Sequence, residues 1–265
     1  MSTLALLDNT TNAPSGDWQA RVARAFSRAA ELYDERASAQ RRIGEGLWQR
    51  LPGTAQSVVD VGCATGGWTR RLAERYPAAT VTGVDIAPGM LAQARKRGGR
   101  VRFREGGAEA LPAGDQSVEL IFSNLALQWC RDIDAVMAEF ARVLAPGGRA
   151  VFTTLLAGTL EEIGAAFNRP GALLDYTSRA DHRCAADAAG LRLTRERTHL
   201  ERFYYPDMAA VMASIKGVGA QIARPQSKGL TRRDLKAATQ RMEQRRTPEG
   251  LPVSYRCLTL TLERP

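Results

Sequence analysis

The sequence predicts an α/β fold: a doubly wound, mostly parallel seven-stranded sheet, with helices ahead of it and a helical insertion before its last strand. Three observations carry this. From Ser57 onward, short apolar runs alternate with helix-period segments, the rhythm of a parallel sheet with crossover helices. A glycine turn, Gly62-Cys63-Ala64-Thr65-Gly66, joins the first strand to the helix behind it. The next strand, Val81-Thr82-Gly83-Val84, ends in an acid, Asp85.

Residues 1–17 are rich in Thr, Asn, Pro and Gly and predict a loose tail. Residues 18–51 predict a helical segment, because Val22, Phe26, Ala29, Ala30 and Tyr33 recur at helical spacing. Pro52-Gly53 ends it. Strands and helices then alternate at 57–61, 67–75, 80–84, 88–97, 100–104, 117–123, 132–144 and 148–155. Pro88 suits the first turn of its helix, and Ala145-Pro146-Gly147-Gly148 stops the helix before the fifth strand. Past Thr154 the pattern weakens. Helices are expected near 158–167 and 179–189, and strands at 191–200 and 253–262. Residues 203–252 form an insertion between those strands, with helices at 206–216 and 231–245. Residues 18–265 are expected to form one domain.

Composition excludes several classes. Hydrophobic residues make up 44% and charged residues 25% of the 265, as in an ordinary globular protein. No apolar run is long enough to span a bilayer, and the N-terminus lacks the pattern of a secretory signal. Cys63, Cys130, Cys184 and Cys257 are scattered, which reads as reduced thiols in a cytoplasmic protein without a metal site. The net charge of +9 is uneven: residues 179–246 hold 15 Lys/Arg against 7 Asp/Glu. Such a segment implies an acidic partner or an arginine-rich solvated face.

Ligands in such sheets bind outside the carboxyl ends of the strands. Four turns therefore matter. Asp60, Gly62, Cys63 and Gly66 form the first. Asp85 and Ile86 form the second, with Met90 nearby; a carboxylate there accepts both hydroxyls of a ribose, and Ile86 covers one face of a base. The third, Gly106 to Pro112, brings Ala108 and Glu109. The fourth, Ser123 to Trp129, brings Asn124 and Leu125 to the nucleoside, with Gln128 and Trp129 walling an acceptor pocket. Tyr33 and Arg36 are expected to close over the site. A dinucleotide needs Gly-x-Gly-x-x-Gly and a pyrophosphate on the helix N-terminus. The spacing here instead resembles the Gly-x-Gly-x-Gly loop of class I, Rossmann-like methyltransferases, with Ala64 for the middle glycine. That favours S-adenosylmethionine as the ligand, with its ammonium group on Asp60.

The chain further resembles the malonyl-acyl carrier protein O-methyltransferases of biotin biosynthesis. The resemblance rests on Phe26-Ser27-Arg28-Ala29-Ala30-Glu31-Leu32-Tyr33, Asp85-Ile86-Ala87-Pro88-Gly89-Met90-Leu91, Glu109-Ala110-Leu111-Pro112, Ser123-Asn124-Leu125-Ala126-Leu127-Gln128-Trp129-Cys130, and Ser214-Ile215-Lys216-Gly217-Val218-Gly219-Ala220. It implies methyl transfer to the free carboxylate of a malonyl thioester, on an acidic acyl carrier protein or on coenzyme A. A carboxylate is already ionised at neutral pH, so no general base is needed, and His182 and His199 are the only histidines. An Arg or Lys must hold the acceptor anion; Arg28, Arg179 and Lys216 are the candidates. The basic 179–246 segment is expected to steer the carrier protein in.

Two departures stand out. The family has Gly-Asp where this chain has Gly106-Gly107, so an adenine contact is missing. The family's His-x-Asn-x-Phe element is absent from 168–176. The alternatives are another acceptor on the same fold (a small carboxylic acid, a quinone-like ring or an RNA base), a non-catalytic relative, or a nicotinamide-binding protein.

Overall fold

The structure is a computed structural model and describes residues 15–168, 174–217 and 231–265. The N-terminal tail up to residue 14, most of the 168–176 segment, and Val218 and Gly219 of the 216–219 run lie outside the described residues. In chain order the elements are α1 (Ser15–Ala29), α2 (Tyr33–Arg36), α3 (Ser38–Trp48), β1 (Ser57–Val61), α4 (Gly67–Arg75), β2 (Thr80–Asp85), α5 (Pro88–Lys96), β3 (Arg102–Glu105), β4 (Val118–Asn124), a 3-10 turn (Leu127–Trp129), α6 (Ile133–Val143), β5 (Leu144–Leu155), α7 (Glu161–Ala166), α8 (Arg179–Ala188), β6 (Arg192–Tyr205), α9 (Met208–Gly217), α10 (Arg232–Glu243) and β7 (Leu251–Glu263).

The seven strands form one sheet in the order β3-β2-β1-β4-β5-β7-β6. β1, β2, β3, β4 and β5 pair in parallel, and β7 runs antiparallel between β5 and β6. The order reverses between β1 and β4, which opens a crevice beyond their carboxyl ends. Side chains alternate across the sheet. Val58, Leu120, Phe122 and Val151 pack with Leu47 of α3 and Leu72 of α4 on one face. Val59, Val61, Ile121 and Phe152 pack with Val136, Met137 and Phe140 of α6 on the other. Cover on both faces explains why β1 and β4 read as nearly continuous apolar runs.

Two boundaries differ from the sequence reading, at the start of β5 and along the β6–β7 ladder. The helical stretch over 18–51 is three helices, because the chain turns after Ala29 to set α2 over the glycine turn. There Asp34 accepts from Thr65 Oγ1 at 2.5 Å and pairs with Arg97. β5 begins at Leu144, which pairs with Val118 ahead of a register shift. β6 and β7 extend as a hairpin ladder to Tyr205–Leu251, so the insertion is shorter than 203–252. The edge-to-face pair Phe203–Tyr255, with ring centroids 5.6 Å apart, holds that extension.

Local signals account for the helix starts. Pro88 opens α5 after the extended Ala87. Asp132 caps α6 by accepting from Ala135 N at 2.9 Å. Ser178 and Asp181 form a reciprocal capping box on α8. Replacing Ser178 with Ala leaves an unsatisfied N–H at that end, and is expected to lower stability by about 1 kcal/mol in urea denaturation.

Candidate functional site

The glycine turn is drawn down onto β2. Gly62 N and Cys63 N both donate to Val84 O, at 2.8 and 3.0 Å. Gly62 has φ +73, and a Cβ there would collide with the Ala126 methyl in the turn after β4. Glycine at this position therefore lets the first and fourth turns touch. Ala64 sits in the left-handed region at φ +48, which costs a non-glycine residue about 1 kcal/mol. That twist points its N–H at Asp85 Oδ2, 2.8 Å away. Asp85 Oδ1 accepts from Ala87 N at 2.8 Å.

Asp60 lies on the adjacent strand, 2% exposed, and its Oδ2 accepts from Thr69 Oγ1 at 2.6 Å. Burial pushes the Asp60 carboxyl up to about 7, against the pull of Thr69, and the Asp85 charge adds to the rise. Burial also raises Asp85, to about 6, against three backbone N–H groups. Tyr33 stands over this pair. Burial, then the charges of Asp85 and Asp60, raise its phenol. The Cys63 thiol is buried and raised well above the usual range by the same environment.

The fourth turn adds amide groups. Asn124 Nδ2 donates to Gln40 O at 2.9 Å, and Gln128 Nε2 donates to Leu125 O at 2.8 Å. Leu125 holds φ +57. The remaining amide oxygens, Asn124 Oδ1, Gln128 Oε1 and Gln40 Oε1, are buried acceptors without a hydrogen-bond partner. One buried and one half-buried carboxylate, with three such oxygens, fit a cationic ligand, and a sulfonium compound carrying an ammonium group is one.

On the outer side, α1 lies against the turns after β2 and β3. A cleft of about 760 Å³ separates them, lined by Gln19, Arg28, Ile86, Pro88, Gly106 and Gly107 among others. Ile86 and Arg28 thus share one wall system, and Arg28 stands at the nucleoside side of the site. Ala108 is buried in the apolar core with Leu111 and Val84. Burial, then the neighbouring Glu109 carboxylate, raises the Cys130 thiol well above its usual range.

Some expected site residues are elsewhere. Met90 is 0% exposed and packs with Ala30, Ala87, Phe26 and Tyr33. It is core between α1 and α5, because Gly89 lets α5 approach Ser27 closely. Trp129 does not line an open pocket: Phe26 packs edge-on to it at 5.3 Å, and its carbonyl accepts from Trp18 Nε1 at 2.9 Å. Arg179 is taken up by Glu196 on the outer strand β6. Lys216 is exposed at the end of α9, a helix packed against α2. His182 packs on Phe152 under α8, and His199 lies beside Glu201 on β6. The described residues of the basic 179–246 segment are spread over both ends of the sheet. Arg192 binds Glu263 beside Arg149, at the amino end of β5, while α10 packs on α7 past its carboxyl end. Thr69, Asp34, Gln40 and Trp18 were missed in the sequence, where no local pattern marks a side chain whose partner lies tens of residues away.

Residues 58–148 match the family described as a methyltransferase domain. A malonyl-[acyl-carrier protein] O-methyltransferase of Erwinia pyrifoliae is 35% identical over 92% of this chain and 92% of its own length. The chain belongs to this methyltransferase family. The biotin biosynthesis bifunctional protein BioHC of Cellvibrio japonicus is 37% identical over 92% of this chain, which spans 50% of that relative. Geranyl diphosphate C-methyltransferase of Streptomyces coelicolor, solved with S-adenosyl-L-homocysteine, shares the fold with a TM-score of 0.60 at 17% identity, covering 96% of this chain and 100% of that one. This chain is a methyltransferase that uses S-adenosylmethionine. No helix among the described residues is long and apolar enough to cross a membrane.

The raised carboxyls set opposite pH trends for the protein alone and for its complex. Folded values above the roughly 4 of an unfolded chain mean that the ligand-free native state holds extra protons between about pH 4 and 7. Their stabilisation is complete below that window and is lost as pH rises through it. A ligand ammonium favours the ionised carboxylates. The rise in Tm produced by S-adenosylhomocysteine should therefore grow from about pH 5.5 to about pH 8, and Asp60→Asn should flatten the trend. Gly62→Ala forces the first and fourth turns apart, and calorimetry should show affinity for the same ligand falling by tenfold or more, about 1.4 kcal/mol.

Proposed function

We propose that this enzyme transfers the methyl group of S-adenosylmethionine to the free carboxylate of a malonyl thioester carried on an acyl carrier protein. The observation that carries the reading is the near full-length similarity to enzymes of that name. Asp60 takes the ligand's ammonium group, Asp85 the ribose hydroxyls, and Ile86 one face of the adenine. Backbone at Gly62, Cys63, Gly66, Ala108 and Leu125 borders the ligand together with the Asn124 amide, and the Gln128 amide lies on the acceptor side. S-adenosylmethionine supplies a methyl made electrophilic by its sulfonium charge. A single catalytic domain, residues 18–265, does the rest.

The acceptor chemistry suits what is present. A malonyl carboxylate is ionised at neutral pH, with a pKa near ~4, so no proton has to be removed. What the protein must provide is alignment and the removal of water from the attacking oxygen. Tyr33 and the apolar group of Leu125, Leu155, Ile163 and Ile215 supply cover beyond the strand ends. Of the three candidate cations we assign the acceptor to Lys216, and the packing of its helix α9 on α2 supports that choice. Malonyl-coenzyme A is the second reading, since the same carboxylate would reach the same place.

Purified enzyme incubated with malonyl-carrier protein and S-adenosylmethionine should add one methyl mass to the carrier, detected by intact-mass spectrometry, and none to an acetyl-carrier control. No gain on the malonyl form would send the acceptor reading elsewhere. Lys216→Ala should raise KM for the malonyl acceptor about tenfold, with affinity for S-adenosylhomocysteine unchanged.

A further inference from the structure

Gly107 contributes no side chain to the turn after β3, yet the space beside it is filled. A Cβ on Gly107 would lie 2.6 Å from Gln19 Nε2, 3.1 Å from Glu109 Oε2 and 3.6 Å from Ile86 Cγ2. Its backbone is not left-handed, so glycine is not demanded by the local conformation. The absent side chain instead makes room for the Gln19 carboxamide, which reaches across from α1.

That carboxamide is exposed and lines the 760 Å³ cleft together with Ile86, Pro88 and Gly106. Ile86 follows Asp85 directly. A nucleoside whose ribose is held at Asp85 therefore lays its base against Ile86 and turns its edge toward Gln19. A carboxamide presents one acceptor and one donor side by side. Adenine presents the complementary pair, an exocyclic amine beside a ring nitrogen, and glutamine pairs with that edge through two hydrogen bonds. The neighbouring carboxylate of Glu109 offers acceptors only.

We propose that Gln19 is a specificity residue for the adenine of S-adenosylmethionine, supplied by the N-terminal helix in place of a side chain at position 107. The proposal rests on the ligand placement argued above, with the ribose on Asp85. Recognition of the base then depends on α1 being docked, so nucleoside binding and closure of this helix are linked.

Titration calorimetry with two probes tests it: S-adenosylhomocysteine and its analogue with purine in place of adenine, which lacks the exocyclic amine. The wild-type protein should prefer the adenine compound by about tenfold, the worth of one hydrogen bond in a sheltered site. Gln19→Ala should bind the two within about twofold of each other. Adding Gly107→Asp to Gln19→Ala should restore a preference, because a carboxylate at 107 reaches the vacated space. A Gln19→Ala protein that keeps the wild-type preference overturns the proposal. Asp85→Asn separates this from failure of the placement itself. It should weaken both probes equally, and if it binds both as tightly as wild type, the ribose assignment fails and the Gln19 proposal falls with it.

Discussion

Two carboxylates at the ends of neighbouring parallel strands, Asp60 buried and Asp85 half-buried, are the constraint on which the rest of the site depends. Withdrawal from water disfavours the charged form of each. The elements around them supply hydrogen bonds. Satisfying Asp85 requires the Ala64 N–H, which requires a left-handed backbone at a residue with a side chain. Satisfying Asp60 requires a hydroxyl one turn into α4, which Thr69 provides from a fully buried position. The close approach of Gly62 to Ala126 follows from the same pull. Strain of this kind persists only where surrounding structure over-determines it, and here it holds a negative pocket ready for a positive ligand.

The N-terminal helices make the pocket a chamber. α1 is fixed by the apolar core it shares with α5 around Met90 and by a few polar and aromatic contacts: the Trp18 indole on the Trp129 carbonyl, Phe26 on the Trp129 ring, Ser27 Oγ accepting from Gly89 N at 3.1 Å, and Gln19 at Gly107. α2 is fixed by Asp34, shared between Thr65 and Arg97. A net contribution near ~1 kcal/mol for each hydrogen bond suits a roof that has to admit one ligand and release another. Trp129 acts in this roof, which is why a residue that reads as a pocket wall ends up beneath a helix.

Beyond the sheet the chain builds with apolar bulk. The hairpin of β6 and β7 continues past the sheet and, with α7, α9 and α10, encloses an apolar group around Leu155, Ile163, Val211 and Met242. Several arginines nearby are paired locally. Glu196 binds Arg179 and Arg183, Glu263 binds Arg149 and Arg192, and Arg246 holds Glu243 and the Pro206 carbonyl. Part of the basic composition thus goes into ion pairs along the edge strand β6, and an edge studded with charge resists pairing with other chains.

Sheet class, the succession of strands along the chain up to the fifth, the glycine turn and the acids at 60 and 85 were all legible in the sequence. Each is written in a local pattern: alternating apolar runs, a turn that needs glycine, a proline at a helix start. The docking of the N-terminal helices, the length of the β6–β7 ladder and the places of Met90, Trp129 and Arg179 were not legible. They depend on which surfaces meet after folding. Met90 has helical spacing whether it faces a ligand or a neighbouring helix, and only the approach of Ser27 to Gly89 settles that. An arginine reads the same whether free or paired, and only the register of β6 sets Glu196 under Arg179. Gln19 and Gly107 stand far apart in the chain, each unremarkable alone. Sequence periodicity records which face of an element is buried, because burial follows the element's own repeat. What lies against that face is set by the packing of elements distant in the chain, and only the tertiary structure decided it.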